Sequence, residues 1–150
     1  MLDAATVTKK VLVAGPVVAT ADVSGVIDRR GFESLIVTFA HGIGGITFTG
    51  TNRIDDKLQH SDDNITYTDC VAADVNSIML PTGVEGTMGA TGIVRSIITA
   101  HAAPSLTKVG YIGNKRFIKP IAAFGGTHAT GTPVAIQASL GTPILAPVGV

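Results

Sequence analysis

The stretch SLIVTFA (34–40) decides the fold: Leu35, Val37 and Phe39 share one parity, while Ser34, Ile36 and Thr38 share the other. Successive side chains of a β-strand leave opposite faces of the pleat, so an alternation of period two marks a strand with one buried face. Leu35, Val37 and Phe39 are therefore expected in the core. HGIGG (41–45) supplies the glycines a sharp reversal needs, and GITFTG (45–50) resumes the strand-like pattern.

The same reading extends along the chain. In RIDDKLQH (53–60), Ile54 and Leu58 oppose Arg53, Asp55, Lys57 and Gln59, the pattern of a half-exposed strand. Asp56 shares the apolar parity. It is expected at the sandwich rim, paired with Arg or Lys, the alternative being a place facing a neighbouring subunit. TKVGYIGNKRFIKP (107–120) reads as strand, Gly113-Asn114, strand, a hairpin signal with Tyr111 and Phe117 as partners across it. Pro120 removes a ladder donor and suits an edge, or a strand that changes sheets. Glycines at 83, 86, 89 and 92 break any long element, after which GIVRSIITA (92–100) resumes as a strand. PVAIQASLG (133–141) is the last, with Val134, Ile136 and Ala138 on one face.

Roughly eight to ten short strands over 150 residues predict an all-β protein, an antiparallel β-sandwich. The length suits a jelly roll better than an immunoglobulin-like domain. The chain reads as a single domain, 1–150. Residues 1–20 and 142–150 are apolar, proline-bearing and weakly patterned, and are expected to be extended N- and C-terminal arms. VLVAGPVVA (11–19) needs burial, yet Gly15 and Pro16 make it a poor central strand.

Chemistry-bearing residues are few. LQHSDDNITY (58–67) places His60 near Asp62 and Asp63, but SDDN (61–64) joins two strand-like runs and consists of residues that bond their own backbone in turns. A calcium loop needs a longer ladder of oxygen ligands with an acid at its end, and zinc needs a second histidine or cysteine at ligand spacing. A hairpin turn is the expectation. Cys70, the single cysteine, has no partner for an internal disulfide and no local base to activate it, so it reads as a structural thiol. His41, His101 and His128 sit beside small or glycine-rich turns and read as polar loop histidines. Asp55 and Asp56 alternate faces and cannot act as a paired acid and base. No nucleophile elbow or phosphate-binding loop occurs. No catalytic, cofactor-binding or metal-ligating residue is assigned, and neither enzymatic activity nor a cofactor is expected.

Eleven basic residues balance eleven acidic ones, which leaves no net field to attract nucleic acid or an anionic membrane. NKRFIK (114–119) is the densest basic run and reads as a solvated strand face. No apolar run reaches the roughly 18 residues of a membrane span. The first ten residues lack the order of a signal peptide, giving an expectation of synthesis in the cytoplasm. With 45% apolar residues, only 15% charged and no tryptophan, the chain has more apolar surface than a lone domain needs. Self-association is the expected outlet.

The order of GGITFTGTN (44–52), LQHSDD (58–63), ITYT (65–68), VGYIGNKRF (109–117) and FGGTHATGTPVAIQASLG (124–141) resembles small structural proteins encoded among the head genes of tailed phages and gene transfer agents. The resemblance spans residues 20–142 and rests on turn-and-strand patterns. It implies a non-enzymatic virion protein of the head surface, made in the host cytoplasm: a jelly-roll head spike or fibre base, or a decoration protein. Its implied partners are further copies of itself and the major capsid protein, with a fibre protein as a further candidate. The alternatives are a tail-associated virion β-sandwich and a carbohydrate-binding module. The module would expose aromatic platforms, for which a chain with two tyrosines has little material. A small hydrolase would need a clustered polar site, which the sequence does not offer.

Overall fold

The computed structural model describes residues 7–144. Eleven strands are formed: β1 (Lys9–Ala19), β2 (Val23–Ser24), β3 (Ile27–Asp28), β4 (Phe32–His41), β5 (Arg53–Ser61), β6 (Thr68–Asp69), β7 (Val75–Met79), β8 (Ile93–Ile97), β9 (Ser105–Tyr111), β10 (Phe117–Gly125) and β11 (Thr132–Pro143). Single 3₁₀ turns at Ala72–Asp74 and Ala90–Gly92 interrupt the connections. Among the described residues no helix is long and apolar enough to cross a membrane.

The strands form two antiparallel sheets. One runs β1-β11-β4-β9-β7, and the other has β10 and β5 at its centre, with β2 and β3 beyond β10 and with β6 and β8 sharing the far edge of β5. Taking β2 and β3 as one interrupted strand, β1-β11-β4-β9 faces β2/β3-β10-β5-β8, the path of a jelly roll. The all-β sandwich expected from the alternation is the observed fold. Leu35, Val37 and Phe39 pack inward with Val134, Ile136 and Ala138 of β11 against Ile54 and Leu58 of β5 and Ile118 and Ala122 of β10. Their parity follows the sequence reading.

Three expectations give way to the tertiary structure. The stretch 107–120 is not a hairpin, because β9 pairs with β4 and β7 in one sheet while β10 pairs with β5 in the other. The link carries the chain between sheets, held where Ile112 N and Gly113 N donate to the Asp74 carbonyl at 2.8 and 3.2 Å. Pro120 lies in an interior strand, opposite Leu58. The Leu58 carbonyl accepts from Cys70 N on the far side (3.0 Å), so the missing Pro120 donor faces the break between β2 and β3, where no ladder bond is lost. Residues 42–52, including GITFTG, form a connection without strand structure, anchored by the buried Phe48.

Of the expected arms, residues 1–6 and 145–150 lie outside the described residues. Lys9–Ala19 is a strand docked along β11, from Lys9↔Leu140 to Ala19↔Thr132, with register shifts around Ala14. The objection to VLVAGPVVA as a central strand holds, since β1 is an edge. Gly15 has φ +76°, and a Cβ there would sit 2.3 Å from the Val134 carbonyl, so the bulge requires glycine. The C-terminal segment continues β11 to Pro143, and Ile144 N donates to the Gly31 carbonyl at 2.9 Å.

Candidate functional site: a sparsely charged sheet face and the buried polar links behind it

The outer faces of the two sheets differ in chemistry. On the outside of β5 and β10, charges are interlocked: Arg53 Nε donates to Asp55 Oδ2 (2.8 Å), and Lys57 Nζ lies 3.7 Å from Asp69 Oδ1. The cations of NKRFIK are engaged in the same way. Lys115 pairs with Asp62, Arg116 makes two bonds to Asp28 (2.9 and 2.6 Å), and Lys119 lies over the Tyr67 ring. Hydrogen bonding from Arg116 holds the Asp28 carboxyl down at about 2. This is a solvated face, as expected, and not a basic patch.

The outer face of the β1-β11-β4-β9-β7 sheet is different. Its rows read Ala135–Ala40–Leu106, then Leu12–Gln137–Thr38–Lys108–Met79, then Lys10–Ser139–Ile36–Gly110–Ser77. Lys10 and Lys108 are the two charged side chains in these rows, which hold no acid. Leu12, Ile36, Met79 and Leu106 are all more than two-fifths exposed. Where the two alanines leave room, a hollow of about 410 Å³ opens between Pro16, Pro104, Leu106 and Pro133. It offers an apolar socket in which His41, itself buried, is the one ionisable residue of the lining.

Behind this face, two polar links cross the core. Asp56 and His60 share the inward parity of Ile54 and Leu58 on β5, and each finds its partner in the opposite sheet. Asp56 Oδ1 and His41 Nε2 of β4 are 2.7 Å apart with both side chains fully buried. His60 Nδ1 and the Tyr111 hydroxyl of β9 are 2.9 Å apart. Arg95 of β8, paired in register with Asp56, donates to Ser105 Oγ (3.0 Å) and Thr107 Oγ1 (3.2 Å) of β9. Burial raises the Asp56 carboxyl above its ordinary range, while the His41 bond and the Arg95 charge oppose that shift. The rim expected for Asp56 is therefore replaced by the sandwich interior. An inward carboxyl is tolerable there because the other sheet supplies its partner.

The remaining histidines are also more embedded than loop positions imply. His41 and His128 are buried; His128 Nε2 donates to the Gly125 carbonyl (3.0 Å), and His101 Nε2 donates to the Gly42 carbonyl (2.9 Å). The His101 and His128 rings pack against Phe48, with centroids at 5.8 and 6.2 Å respectively. These are anchors for the 42–52 connection and do not converge on one point. Cys70 is buried, and burial, reinforced by Asp74 and Asp69, pushes its thiol up to about 12. A thiol held neutral in this way is a poor nucleophile. What the sequence reading missed is its neighbourhood: Cys70, His60 and Asp74 come together. The recoverable signal is the cysteine ten positions after the histidine, across a polar turn.

SDDN is a turn joining β5 to β6, as expected. Asp63 Oδ1 accepts from Ser61 Oγ (2.7 Å), Ile65 N (2.8 Å) and Thr66 N (2.8 Å), and Asn64 takes a left-handed conformation at φ 60°. The bond from Ile65 N, then that from Ser61, holds the Asp63 carboxyl below its usual range. A carboxyl so lowered contributes stability above the ordinary value of about 3.9 and loses it as pH falls further. Replacing Asp62 and Asp63 together with alanine should leave the fold intact and lower Tm only slightly at neutral pH. The difference from the parent should narrow in acid. Added calcium should move neither protein's Tm, and a calcium-dependent rise in the parent alone would make the turn an ion site.

No known protein family matches the sequence, and no curated protein matches it either. Among solved structures, it is similar to the carbohydrate-binding module CBM32-3 of a family 31 glycoside hydrolase from Clostridium perfringens (14% identity, 92% of this chain and 77% of that one, TM-score 0.32). It is also similar to a CBM4 structure (11%, 94% and 71%, TM-score 0.37) and to the tripod from the baseplate of bacteriophage Tuc2009 (12%, 92% and 65%, TM-score 0.37). At these identities and scores the likenesses carry no argument about what this chain binds.

Proposed function

We propose that this chain is a non-catalytic structural protein of a phage or phage-like particle. In this reading it associates with copies of itself and seats on the capsid surface through the outer face of its five-stranded sheet. The observation that carries the reading is the contrast between the two outer faces: one laced with ion pairs, the other sparsely charged, with Lys10 and Lys108 as its charges and with exposed Leu12, Ile36, Met79 and Leu106 around an apolar hollow. Docking such a face gains roughly 25 cal/mol per Å² of apolar surface removed from water and leaves two cations, Lys10 and Lys108, to be met by the partner. The resemblance to phage head proteins supports the capsid as the larger partner. Closed symmetry makes a ring the simplest oligomer. A carbohydrate platform finds less support, since Phe39, Phe48 and Tyr111 are buried and the part-exposed Tyr67 and Phe117 rings are each covered by a cation, Lys119 and Arg116 respectively.

Removing residues 1–18 would strip β1 from β11, so loss of assembly in that truncation would not separate docking from folding. Substitution on the face does. Ile36→Glu with Leu106→Glu changes two exposed positions and should leave the fold intact. By light scattering, the parent should be oligomeric and the variant monomeric. In co-sedimentation with empty heads of the particle, the parent should pellet and the variant stay in the supernatant. A parent that is monomeric and ignores heads exactly as the variant does overturns the reading. Specific retention on a glycan array by that monomer would move the protein to carbohydrate binding.

A further inference from the structure

We infer that His60, Cys70 and Asp74 form a zinc site that clips the two sheets together at one end of the sandwich. One ligand atom from each side chain lies within 4.8 Å of the others. The three arrive by different routes. His60 is an inward residue near the end of β5, Cys70 follows β6 and is pinned by its N–H to the Leu58 carbonyl, and Asp74 closes the 3₁₀ turn before β7. Asp74 is held in place from both ends: its Oδ2 accepts from Val71 N (2.9 Å), and its own carbonyl accepts from Ile112 N and Gly113 N. The chain also packs closely here. A Cβ on Gly113 would lie 2.4 Å from the Tyr111 hydroxyl and 2.9 Å from Asp74 Oδ1.

The donor set selects the metal. Thiolate, imidazole and carboxylate together suit zinc, whereas calcium and magnesium take oxygen ligands. Neutral imidazole with one thiolate and one carboxylate also balances the two positive charges, which matters at a largely buried site. His60 Nδ1 lies 4.0 Å from Asp74 Oδ2. Tetrahedral bonds of about 2.0–2.3 Å place ligand atoms about 3.3–3.7 Å apart, so the three groups need to close by about 1 Å. On binding, the Cys70 thiol releases its proton to solvent, and Nδ1 exchanges its bond to the Tyr111 hydroxyl for the metal. That hydroxyl, at the end of β9, is then placed to bond a water in the fourth position. Zinc would thereby join β5 of one sheet to the turn that leads into β7 of the other. The site lies apart from the docking face, and its test does not depend on that reading.

The probe is zinc or cobalt added to chelator-treated, desalted full-length protein. Cobalt should produce a sulfur-to-metal charge-transfer band with the visible bands of a tetrahedral site, and zinc should abolish both and raise Tm. Cys70→Ala should lose the charge-transfer band and the zinc-dependent rise in Tm. Asp74→Asn keeps an acceptor for Val71 N and should weaken binding by more than about 100-fold, beyond the 10- to 100-fold expected for an outer partner such as Tyr111→Phe. Circular dichroism of each metal-free variant reports folding, and Asp74→Asn decides the case if Cys70→Ala does not fold. A parent that shows no charge-transfer band, or a folded variant that binds as tightly as the parent, overturns the site.

Discussion

Phe39→Ala should lower the free energy of unfolding by about 3–5 kcal/mol. Phe39 is fully buried on β4, with Ile136 of β11 and Thr107 of β9 as its register neighbours. Truncation removes the ring from the middle of the interlayer, where strands fixed by ladders on both sides cannot collapse to fill the space. Ile36, on the opposite face of the same strand, is 46% exposed, and Ile36→Ala should change stability by no more than about 0.5 kcal/mol in the isolated chain. Urea denaturation of the pair is the measurement, with the midpoint moving in Phe39→Ala and the slope unchanged. If the two substitutions cost the same, the inward parity of β4 is wrong, because a one-residue slip exchanges the faces of a whole strand.

The second large effect belongs to the link between the sheets. Asp56→Ala should destabilise by about 3–5 kcal/mol at neutral pH, since it leaves His41 facing a buried gap without its partner and removes the carboxyl whose charge faces Arg95. Asp56→Asn keeps an acceptor and should cost less. Comparing the parent with Asp56→Asn isolates the proton. The Asp56 carboxyl is raised by burial, so the folded state holds its proton more tightly than the unfolded chain does. Stability then falls with rising pH wherever the folded state binds the extra proton. The parent's advantage over Asp56→Asn should be greatest below the unfolded value of about 3.9. It should decline as pH rises from there to the folded value and be flat above it. Denaturation midpoints across acid and neutral pH read this directly. A difference that grows with pH would mean that the ion pair with His41 prevails over burial.

Both predictions start from alternation that was legible in the sequence. Period two is imposed by the backbone of each strand by itself, so SLIVTFA, RIDDKLQH and PVAIQASLG declared their strands and their inward faces without knowledge of any partner. The turn at SDDN was equally local, because Asp63 bonds to residues within three positions of itself. The sandwich follows from such pieces, since strands with one apolar face must bury it against another layer.

Pairing was not legible in the same way. TKVGYIGNKRFIKP has the spacing of a hairpin, yet its halves go to different sheets, because β9 and β10 each lie along strands far away in the chain. The fate of inward polar groups was decided at the same long range. Asp56 meets His41 across 15 positions and His60 meets Tyr111 across 51. A carboxyl on an apolar parity is a rim residue if no partner faces it and a core residue if one does. Only the packing of one sheet on the other supplies that partner, and the same packing sets Cys70 and Asp74 beside His60.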